Sequence, residues 1–592
     1  MRADLRALTT FILAIACGGA LAAQVQRVDV RGLDAPMTSN VHVALSLEEA
    51  IGKPVSDRRL DYLLEVAEAE TRDALEPFGY YSPEIHVTSS GGRDALVVAI
   101  DVVPGTPVRV RREILGIEGA AHDDTYMQQE VADFLPKPGD VFNHAIYEAG
   151  KTRITRRLAE RGYFDADFAS HQVEVTRAAH AADIDLRWTS GDRYDMGPVT
   201  FTQAPKTIIQ PQLLQKLVYW NQGEYYHQGR LDRLRKSLVS LDYFSRIDIE
   251  PHPDQAKDLE VPVTVTLEPA KRSVYTAGLS YGTDSGPGVI LGLERRYLNM
   301  RGHKALAQID WANKRKTATL QYRIPAFAWL DGWYTGSLQF ASEQTRYIDT
   351  RRVEFVASRS GEISRNLTAV AALHALRERW AYAFERVPGQ PVTYRYASLF
   401  FPSIGLDYIA ADDRLYPRRA LGAHIELRGG SAGHGGTFSQ VHGRAQWFRG
   451  LGPTDRLIVR GELGRSFTGA TTEIPPSLRF YAGGDRSIRG YNWREVGPRI
   501  DTTKGRYAFA LGARNVVTSS VEYERYFTPT WGGAVFVDGG SAFNGRQVDW
   551  HTGVGFGVRW KSPVGPVRLD IGRGLNRPDS PFTIHLNIGA DL

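Results

Sequence analysis

The chain has 592 residues, of which 23% are charged, and its formal net charge is +5 at pH 7. This length predicts several domains, and so small a net charge gives no sign of a nucleic-acid partner. After the N-terminal segment, no apolar run is long enough to predict a membrane-spanning helix, although the alternating strands of a membrane β-barrel would give a weaker hydropathy signal.

Residues 1–23 have the pattern of a secretory signal peptide. Two arginines precede an apolar stretch at residues 8–16, and Ala20-Leu21-Ala22 matches an A-x-A cleavage site. The only cysteine of the chain, Cys17, lies inside this segment. The mature chain is therefore expected to have no thiol, which excludes disulfide bonds and thiolate chemistry.

Three repeated α+β units are predicted after the signal peptide. Each has a strand, then a helix with apolar residues three and four positions apart, then an aromatic pair and two strands. The aromatic pairs are Tyr80-Tyr81, Tyr163-Phe164 and Tyr243-Phe244. Their leading tyrosines recur at nearly equal intervals, and such regular spacing indicates repeated modules. Modules of this kind can fold without a ligand. The predicted units are residues 24–103, 104–189 and 190–270.

From residue 271 onward the sequence alternates with period two, as in residues 317–324. About sixteen such segments, at roughly twenty residues each, predict a 16-stranded antiparallel transmembrane β-barrel over residues 271–592. The polar positions include charges, which a dry β-sandwich would bury at a high cost. Nine of the eleven tryptophans fall in this region, and several are predicted to form an interfacial aromatic girdle. These are Trp329, Trp333, Trp531 and Trp560.

A polar, glycine-rich connection at residues 480–491 interrupts the predicted strands. Glycines mark it as a loop, and long loops within a β-array are usually functional, although a mobile surface loop is the plain alternative. If Arg489 lies inside the barrel, it needs partners, because an unpaired buried guanidinium is costly. Alternation directs Glu522, Phe536 and Asp538 into the lumen, where they could pair with Arg489. Alternatively, both carboxylates merely line a solvated lumen.

The motif Arg489-Gly490-Tyr491 resembles the Arg-Gly-Phe/Tyr signature of the BamA/TamA-type outer-membrane assembly factors. In that family the signature lies on the sixth outer loop, which folds back into the barrel, so the resemblance implies an in-folded loop around residues 470–503. It also implies that a glutamate and a Phe-x-Asp-Gly strand contact the loop arginine. The predicted loop-lock residues are Arg489, Gly490, Tyr491, Glu522, Phe536 and Asp538.

The three units resemble the polypeptide-transport-associated (POTRA) repeats of the same family, and three repeats rather than five favour its TamA branch. The resemblance implies insertion or secretion of β-barrel clients, autotransporters included, at the outer membrane of a Gram-negative cell, with the repeats in the periplasm. The expected partners are the outer-membrane lipid bilayer, unfolded outer-membrane protein clients and a TamB-like periplasm-spanning protein. No nucleotide, metal or other cofactor is expected.

The physical hypothesis for this function is a weakly paired seam between the first and last barrel strands. An open seam would offer its strand edges to a client by β-augmentation. The predicted seam residues are Gly278, Gly282, Ile584, Leu586 and Gly589.

Three other functions remain open: a general BamA-like insertase, a passive outer-membrane channel and an outer-membrane enzyme. A passive porin would not need the periplasmic repeats. The sequence has no G-x-S-x-G, H-E-x-x-H or P-loop spacing, and the cluster His122-Asp123-Asp124 is more typical of a turn than of a metal site. We therefore expect that the chain is not an enzyme.

Overall fold

The computed structural model describes residues 23–92, 95–282, 286–326, 332–344, 348–382, 390–432, 436–469, 473–500, 509–562, 565–576 and 582–588. The chain divides into two compact units. One contains residues 1–198, 220–231 and 251–263, and the other contains residues 199–219, 232–250 and 264–592. Of the predicted signal peptide only Ala23 is described, and it begins the first strand. Every helix in the described ranges is too short or too polar to cross a membrane.

Three α+β modules precede the barrel, each with an opening strand, two helices and two closing strands, and the first has one additional short strand. In the first two modules the opening strand pairs in parallel with the last one. The first comprises β1 (Ala23–Arg31), α1 (Ala35–Ala44), the short β2 (Pro54–Val55), α2 (Asp57–Leu75), β3 (Glu84–Ser90) and β4 (Leu96–Val103). The second comprises β5 (Arg109–Glu118), α3 (Thr125–Ala132), α4 (His144–Glu160), β6 (Asp167–Thr176) and β7 (Ala181–Thr189). The third comprises β8 (Asp195–Gln203), α5 (Pro211–Gln215), α6 (Gln228–Leu241), β9 (Phe244–Pro251) and β10 (Glu260–Pro269).

The helical segment of each module ends at a residue in the left-handed backbone region. The φ angles are 91° at Gly79, 92° at Gly162 and 56° at Asp242. Glycine adopts this conformation freely, and aspartate tolerates it. The aromatic pair follows directly, and its leading tyrosine is 2% exposed at Tyr163 and 0% exposed at Tyr243. The repeated aromatic pair therefore marks the point where each helical segment ends and the chain returns to the sheet.

Sixteen antiparallel strands form the barrel sheet, in chain order. The predicted fold class, α+β modules followed by a 16-stranded antiparallel barrel, is confirmed. The first eight strands are β11 (Ser273–Gly282), β12 (Gly286–Arg295), β13 (Lys304–Ala312), β14 (Arg315–Ala326), β15 (Gly332–Gln344), β16 (Ile348–Ser364), β17 (Leu367–Tyr382) and β18 (Arg395–Ala411). Three more precede the long loop: β19 (Arg419–Ala432), β20 (Gly436–Gly450) and β21 (Asp455–Thr468). The loop carries the short strands β22 (Arg499–Ile500) and β23 (Phe509–Ala510). The last five are β24 (Asn515–Tyr526), β25 (Trp531–Phe543), β26 (His551–Ser562), β27 (Gly565–Gly574) and β28 (Phe582–Ile588).

The two faces of the barrel differ in polarity, as the alternation predicts. On β25, Val535 and Val537 are 56% and 55% exposed on the outer face, whereas Phe536 and Asp538 are 3% and 1% exposed. Successive residues of a strand point to opposite faces, so one parity presents apolar side chains on the outer face and the other fills the interior. The charged residue of this strand, Asp538, therefore lies inside the barrel.

The predicted tryptophan girdle is only partly correct. Trp531 and Trp560 are exposed on the outer face and stack with ring centroids 5.5 Å apart. Trp333 instead is 6% exposed and lies beneath the guanidinium of Arg323, 4.4 Å from the ring centroid, because its parity on β15 directs it inward. The prediction for Trp333 is therefore wrong, and Trp329 lies outside the described residues.

Strands β11 and β28 stand at the two ends of the strand order. Within the parts of the chain that the structure describes, no hydrogen-bonded pairing joins them. Strand β28 has 7 residues, whereas β16 has 17. Among the described strands of the barrel sheet, β11 and β28 are therefore the two with a neighbour on one side only.

Candidate functional site

The described part of the long connection between β21 and β24 lies against the inner face of the last barrel strands. It is held at its base by two backbone hydrogen bonds between Phe480 and Ala513, of 2.9 and 2.8 Å. Its apolar side chains Ile488 and Tyr491 are both 0% exposed and pack with Val516 of β24. Burial of this apolar surface favours the in-folded position of the loop.

A tight turn carries the loop motif. Gly483 has a φ angle of 100° and Gly484 one of 110°. Glycine adopts such angles without strain. Within the turn the amide of Ser487 donates to the carbonyl oxygen of Gly484 at 3.2 Å, and that of Gly484 donates to the carbonyl oxygen of Ile488 at 3.2 Å. These bonds fix the backbone immediately before Arg489.

Arg489 is 1% exposed, and its guanidinium group forms ion pairs with several acidic side chains. Its Nε and Nη2 donate to the two carboxylate oxygens of Asp538 at 2.8 and 2.9 Å, and its backbone amide donates to Asp538 at 2.9 Å. Its Nη1 donates to Glu522 at 2.6 Å and to Asp570 at 3.1 Å. The guanidinium carbon lies 3.4 Å from the ring centroid of Phe536. A bidentate, charge-assisted pair with a cation–π contact fixes both position and orientation of the guanidinium.

A second arginine, Arg559 of β26, connects the acidic partners to one another. It is 1% exposed and donates to Glu522 at 2.6 Å, to Glu524 at 2.7 Å and to Asp570 at 2.6 Å. Two further arginines complete what we call the ion-pair network. Arg456 donates to Glu524 at 2.6 Å, and Arg460 donates to Glu522 at 3.1 Å. Each buried carboxylate thus has a cation beside it, as burial of charge requires.

Close backbone contacts seat the motif against the barrel wall. Gly490 has a φ of 91°, and a Cβ atom there would lie 2.5 Å from the carbonyl carbon of Arg573. A Cβ atom on Gly572 would lie 2.6 Å from the amide nitrogen of Gly490, and one on Gly574 would lie 2.7 Å from the ring of Tyr491. Only glycine leaves room for the loop at these positions.

Tyr491 is enclosed between β26 and the segment that follows β27. Its hydroxyl donates to the carbonyl oxygen of Thr552 at 3.3 Å and accepts from the amide of Asn576 at 3.2 Å. Its ring meets that of His551 edge to face, with centroids 5.4 Å apart. The motif is therefore held on both sides of Gly490.

The structure brings all six predicted loop-lock residues together, and their functional role stays a prediction. Sequence reasoning missed Arg559 and Asp570, although alternation along β26 and β27 would have placed both on the inner face. It also missed the glycines of β26 and β27 that face the loop, because glycine is common in barrels and its spacing alone does not indicate a close approach.

The predicted seam residues lie on the two end strands where they are described. Ile584 and Leu586 point outward from β28 and are 61% and 51% exposed. On β11, a Cβ atom at Gly278 would meet only the Cβ of Ile290, at 4.0 Å, so no contact requires glycine there. Gly282 ends β11 opposite Gly286. Gly589 lies outside the described residues.

The cluster His122-Asp123-Asp124 lies at the start of α3. Asp124 accepts a hydrogen bond from the amide of Tyr126 at 3.1 Å and two from Arg161, at 2.8 and 3.0 Å. It therefore acts as a helix cap and ion-pair partner. Over the described stretches of the chain, no group of three or more His, Cys, Asp or Glu is arranged to hold a metal ion.

Comparison with known families finds models that match the barrel and the first two modules. The Omp85 superfamily domain matches residues 301–591. The POTRA domain described as TamA domain 1 matches residues 27–104, and the surface antigen variable number repeat matches residues 115–190.

Among characterised proteins, the chain is similar to two outer membrane protein assembly factors BamA. The one from Nitratidesulfovibrio vulgaris is 22% identical over 507 residues, which cover 82% of this chain and 61% of the relative. The one from Neisseria meningitidis serogroup B is 21% identical over 501 residues, which cover 74% of this chain and 62% of the relative. The chain thus spans about three fifths of the length of these relatives.

Among solved structures, the fold is similar to the crystal structure of BamA from Haemophilus ducreyi lacking POTRA domains 1–3. The TM-score is 0.64 at 15% sequence identity, and the match covers 81% of this chain and 99% of that one. At this identity the match speaks for the fold.

Proposed function

Because this chain belongs to the Omp85 superfamily and carries POTRA domains, one of them TamA-type, we propose that it inserts or secretes β-barrel proteins. The barrel lies in the outer membrane, and the POTRA domains lie in the periplasm. In the proposed function its clients are unfolded outer-membrane proteins, autotransporters included. The surrounding lipid bilayer receives them.

The proposal rests on the two strands at the ends of the barrel sheet, β11 and β28. Strand β28 is short, and within the described residues it is paired on one side only, through seven residue pairs with β27. A strand edge without a partner is a template for another strand. In the proposed mechanism β11 and β28 separate, and a client strand adds to the exposed edge by β-augmentation.

The proposed role of the loop-lock residues is to hold the loop against the strands that end at this edge. No covalent bond is made or broken by the chain in this mechanism, so the proposal includes neither catalysis nor a nucleotide, metal or other cofactor. The energy for insertion comes from pairing of client strands and from burial of their apolar faces in lipid.

The match of residues 27–104 to the first POTRA domain of TamA, together with three modules, supports the TamA branch. On this branch the proposed partner is a TamB-like protein that spans the periplasm. The similarity to BamA proteins supports a second candidate, a general outer-membrane insertase.

Deletion of the gene, with quantitative profiling of the outer-membrane proteome, tests the proposal. We expect autotransporters to decrease while most other barrels keep their abundance, and a plasmid copy of the gene should restore them. A decrease of nearly all barrels would favour the general insertase. An unchanged proteome with lower permeability to small solutes would favour a passive channel and overturn both.

A further inference from the structure

The in-folded loop also contacts the last strand, where three alternate residues of β28 point inward. The hydroxyl of Thr583 donates to the carbonyl oxygen of Gly490 at 3.3 Å. The amide of Gly490 donates to Nε2 of His585 at 3.1 Å. The side-chain amide of Asn587 donates to a carboxylate oxygen of Asp485 at 2.8 Å. Every inward side chain described on this strand thus touches the loop.

Of these three contacts, the one between Asp485 and Asn587 joins two side chains. A hydrogen bond to a carboxylate is roughly twice as strong as one between neutral groups. Both residues line a polar cavity of about 500 Å³ that also reaches Arg489 and Glu522. Asp485 belongs to the tight turn that fixes the backbone before Arg489, so a displacement of Arg489 moves Asp485 with it.

In the described part of the chain, strand β28 is otherwise held mainly by its ladder with β27. Its outward side chains Phe582, Ile584 and Leu586 are 68%, 61% and 51% exposed. Its backbone pairs with β27 through seven residue pairs, and no pairing with β11 occurs within the described residues. The three contacts with the loop therefore add to the ladder with β27 on the inner side of this strand.

We propose that Asp485 and Asn587 are positioning residues that fix the last strand to the loop, so that release of the loop frees the strand at the seam. The inference rests on the proposed function, in which this seam opens. It adds that the loop lock and the seam are one mechanical unit: Arg489 holds the turn, the turn holds Asp485, and Asp485 holds β28.

The test compares three variants of the full-length protein in lipid. Asn587→Asp places two carboxylates against each other. Asp485→Asn removes the charged acceptor. The exchange variant, Asp485→Asn with Asn587→Asp, restores an amide-to-carboxylate bond with its direction reversed. As a matched control, Gln308→Glu places a carboxylate beside Asp310 on β13, where an amide now lies 3.3 Å from that residue and no loop contact is involved.

Strand position is measured by pulsed electron paramagnetic resonance between nitroxide labels at Leu279→Cys and Ile584→Cys, on the outer faces of β11 and β28. The mature chain is expected to have no native cysteine, because Cys17 lies in the predicted signal peptide. We expect Asn587→Asp to add a population with a distance longer by about 5 Å, one strand spacing. Asp485→Asn should add less of this population. The exchange variant and Gln308→Glu should give the parent distribution.

Unchanged distances in Asn587→Asp, or failure of the exchange variant to restore the parent distribution while the barrel remains folded, would overturn the inference. This readout needs no client, so it is separate from the proposed function. If the distance changes as expected but autotransporter assembly does not, the positioning role stands and the proposed function fails.

Discussion

A Cβ atom built on Gly553 would lie 1.8 Å from the carbonyl oxygen of Arg489, so β26 and the loop meet backbone to backbone. Close to this point, Arg489 reaches Asp538 and Glu522 with its guanidinium. The ion pairs can therefore form only because the wall has no side chain at residue 553. The close backbone contact at Gly553 and the ion pairs of Arg489 therefore both favour the same position of the loop.

Gly553→Ala should displace the loop without unfolding the barrel. The added methyl group cannot share space with the carbonyl oxygen, whereas the strand ladder does not need glycine. We expect new protease cleavage between residues 479 and 500 in intact membranes, with the unboiled protein still migrating differently from the boiled protein on a gel. Gly336→Ala on β15 is the matched control, because its Cβ would have no heavy atom within 4 Å. An intact, protected loop in Gly553→Ala would contradict the prediction.

Arg489→Ala should release the loop and stop client assembly. Removing one partner of a buried ion pair costs about 3–5 kcal/mol, and the residues facing Arg489 are at most 8% exposed, so water offsets little of it. Glu522 keeps Arg559 and Arg460, so the barrel wall should stay closed. Protease sensitivity near the motif, normal heat-modifiable migration and a loss of assembled autotransporter are the expected results. Normal autotransporter assembly by a variant whose loop is cleaved would mean that the loop-lock residues are not needed for client assembly.

Asp538→Asn should give a weaker form of the same defect, because an amide can still accept a hydrogen bond from the guanidinium. Since Asp538 accepts three hydrogen bonds from Arg489, the two substitutions should be clearly less than additive in a double-mutant cycle. The measured quantity is the rate of loop cleavage relative to the parent. Arg489→Ala combined with Asp310→Asn, on the distant β13, should be additive. Additivity in the first cycle would mean that Arg489 and Asp538 act independently.

Arg559→Met should loosen the loop even though Arg559 donates to wall residues. It donates to Glu522 and Asp570, which are both partners of Arg489, so its loss leaves these carboxylates less well oriented. We expect loop cleavage at a rate between those of the parent and Arg489→Ala. Arg559→Lys should restore little, because an ammonium cannot reproduce the planar fork. Arg323→Met is the control: it removes a lumen arginine near Trp333 and should leave the loop protected. Equal loop cleavage in Arg559→Met and Arg323→Met would contradict the prediction.

Alternation along single strands predicted the inward positions of Glu522, Phe536 and Asp538, because the side-chain period of a strand is two. The same rule, applied to β15, would have placed Trp333 inside. The girdle prediction used the nearness of tryptophans to strand ends instead, and it failed where a lumen arginine covers the ring. The two-residue period of a strand therefore predicts which face of the barrel a side chain occupies more reliably than the residue type does.

The contacts between the loop and the wall could not be predicted from local pattern. Gly553 faces the carbonyl of Arg489, and Asn587 faces Asp485, through a loop path that depends on many weak contacts at once. No periodicity relates residues 485 and 587. The sequence predicted that carboxylates surround Arg489, since a buried arginine needs them. It did not predict the role of Arg559, because this requires knowledge of which strands are neighbours across the lumen.

The stability of the second module should depend on pH through the Asp124 carboxyl. Burial raises the pKa of the Asp124 carboxyl, but the hydrogen bonds and charge of Arg161 outweigh it, so that the pKa lies below its ordinary value. A lowered folded-state pKa stabilises the module above the unfolded-state pKa, about 3.9, and this stability is lost as the pH falls through the folded-state value. At pH 7, Arg161→Met should lower the free energy of unfolding of a fragment of residues 24–190 by about 1.5–3 kcal/mol, as for hydrogen bonds to charged groups.

The deficit of Arg161→Met should shrink as the pH falls below about 4, because protonation of Asp124 weakens the same bonds in the parent. Urea unfolding of both fragments between pH 7 and pH 2.5 measures this convergence. Arg187→Met is the matched control, since Arg187 pairs with Asp185 at the surface, where their side chains are 42% and 32% exposed. An exposed pair of this kind contributes about 0–1 kcal/mol. A deficit that stays constant with pH would mean that Arg161 acts through its contact with the Tyr126 ring, 4.9 Å away, rather than through Asp124.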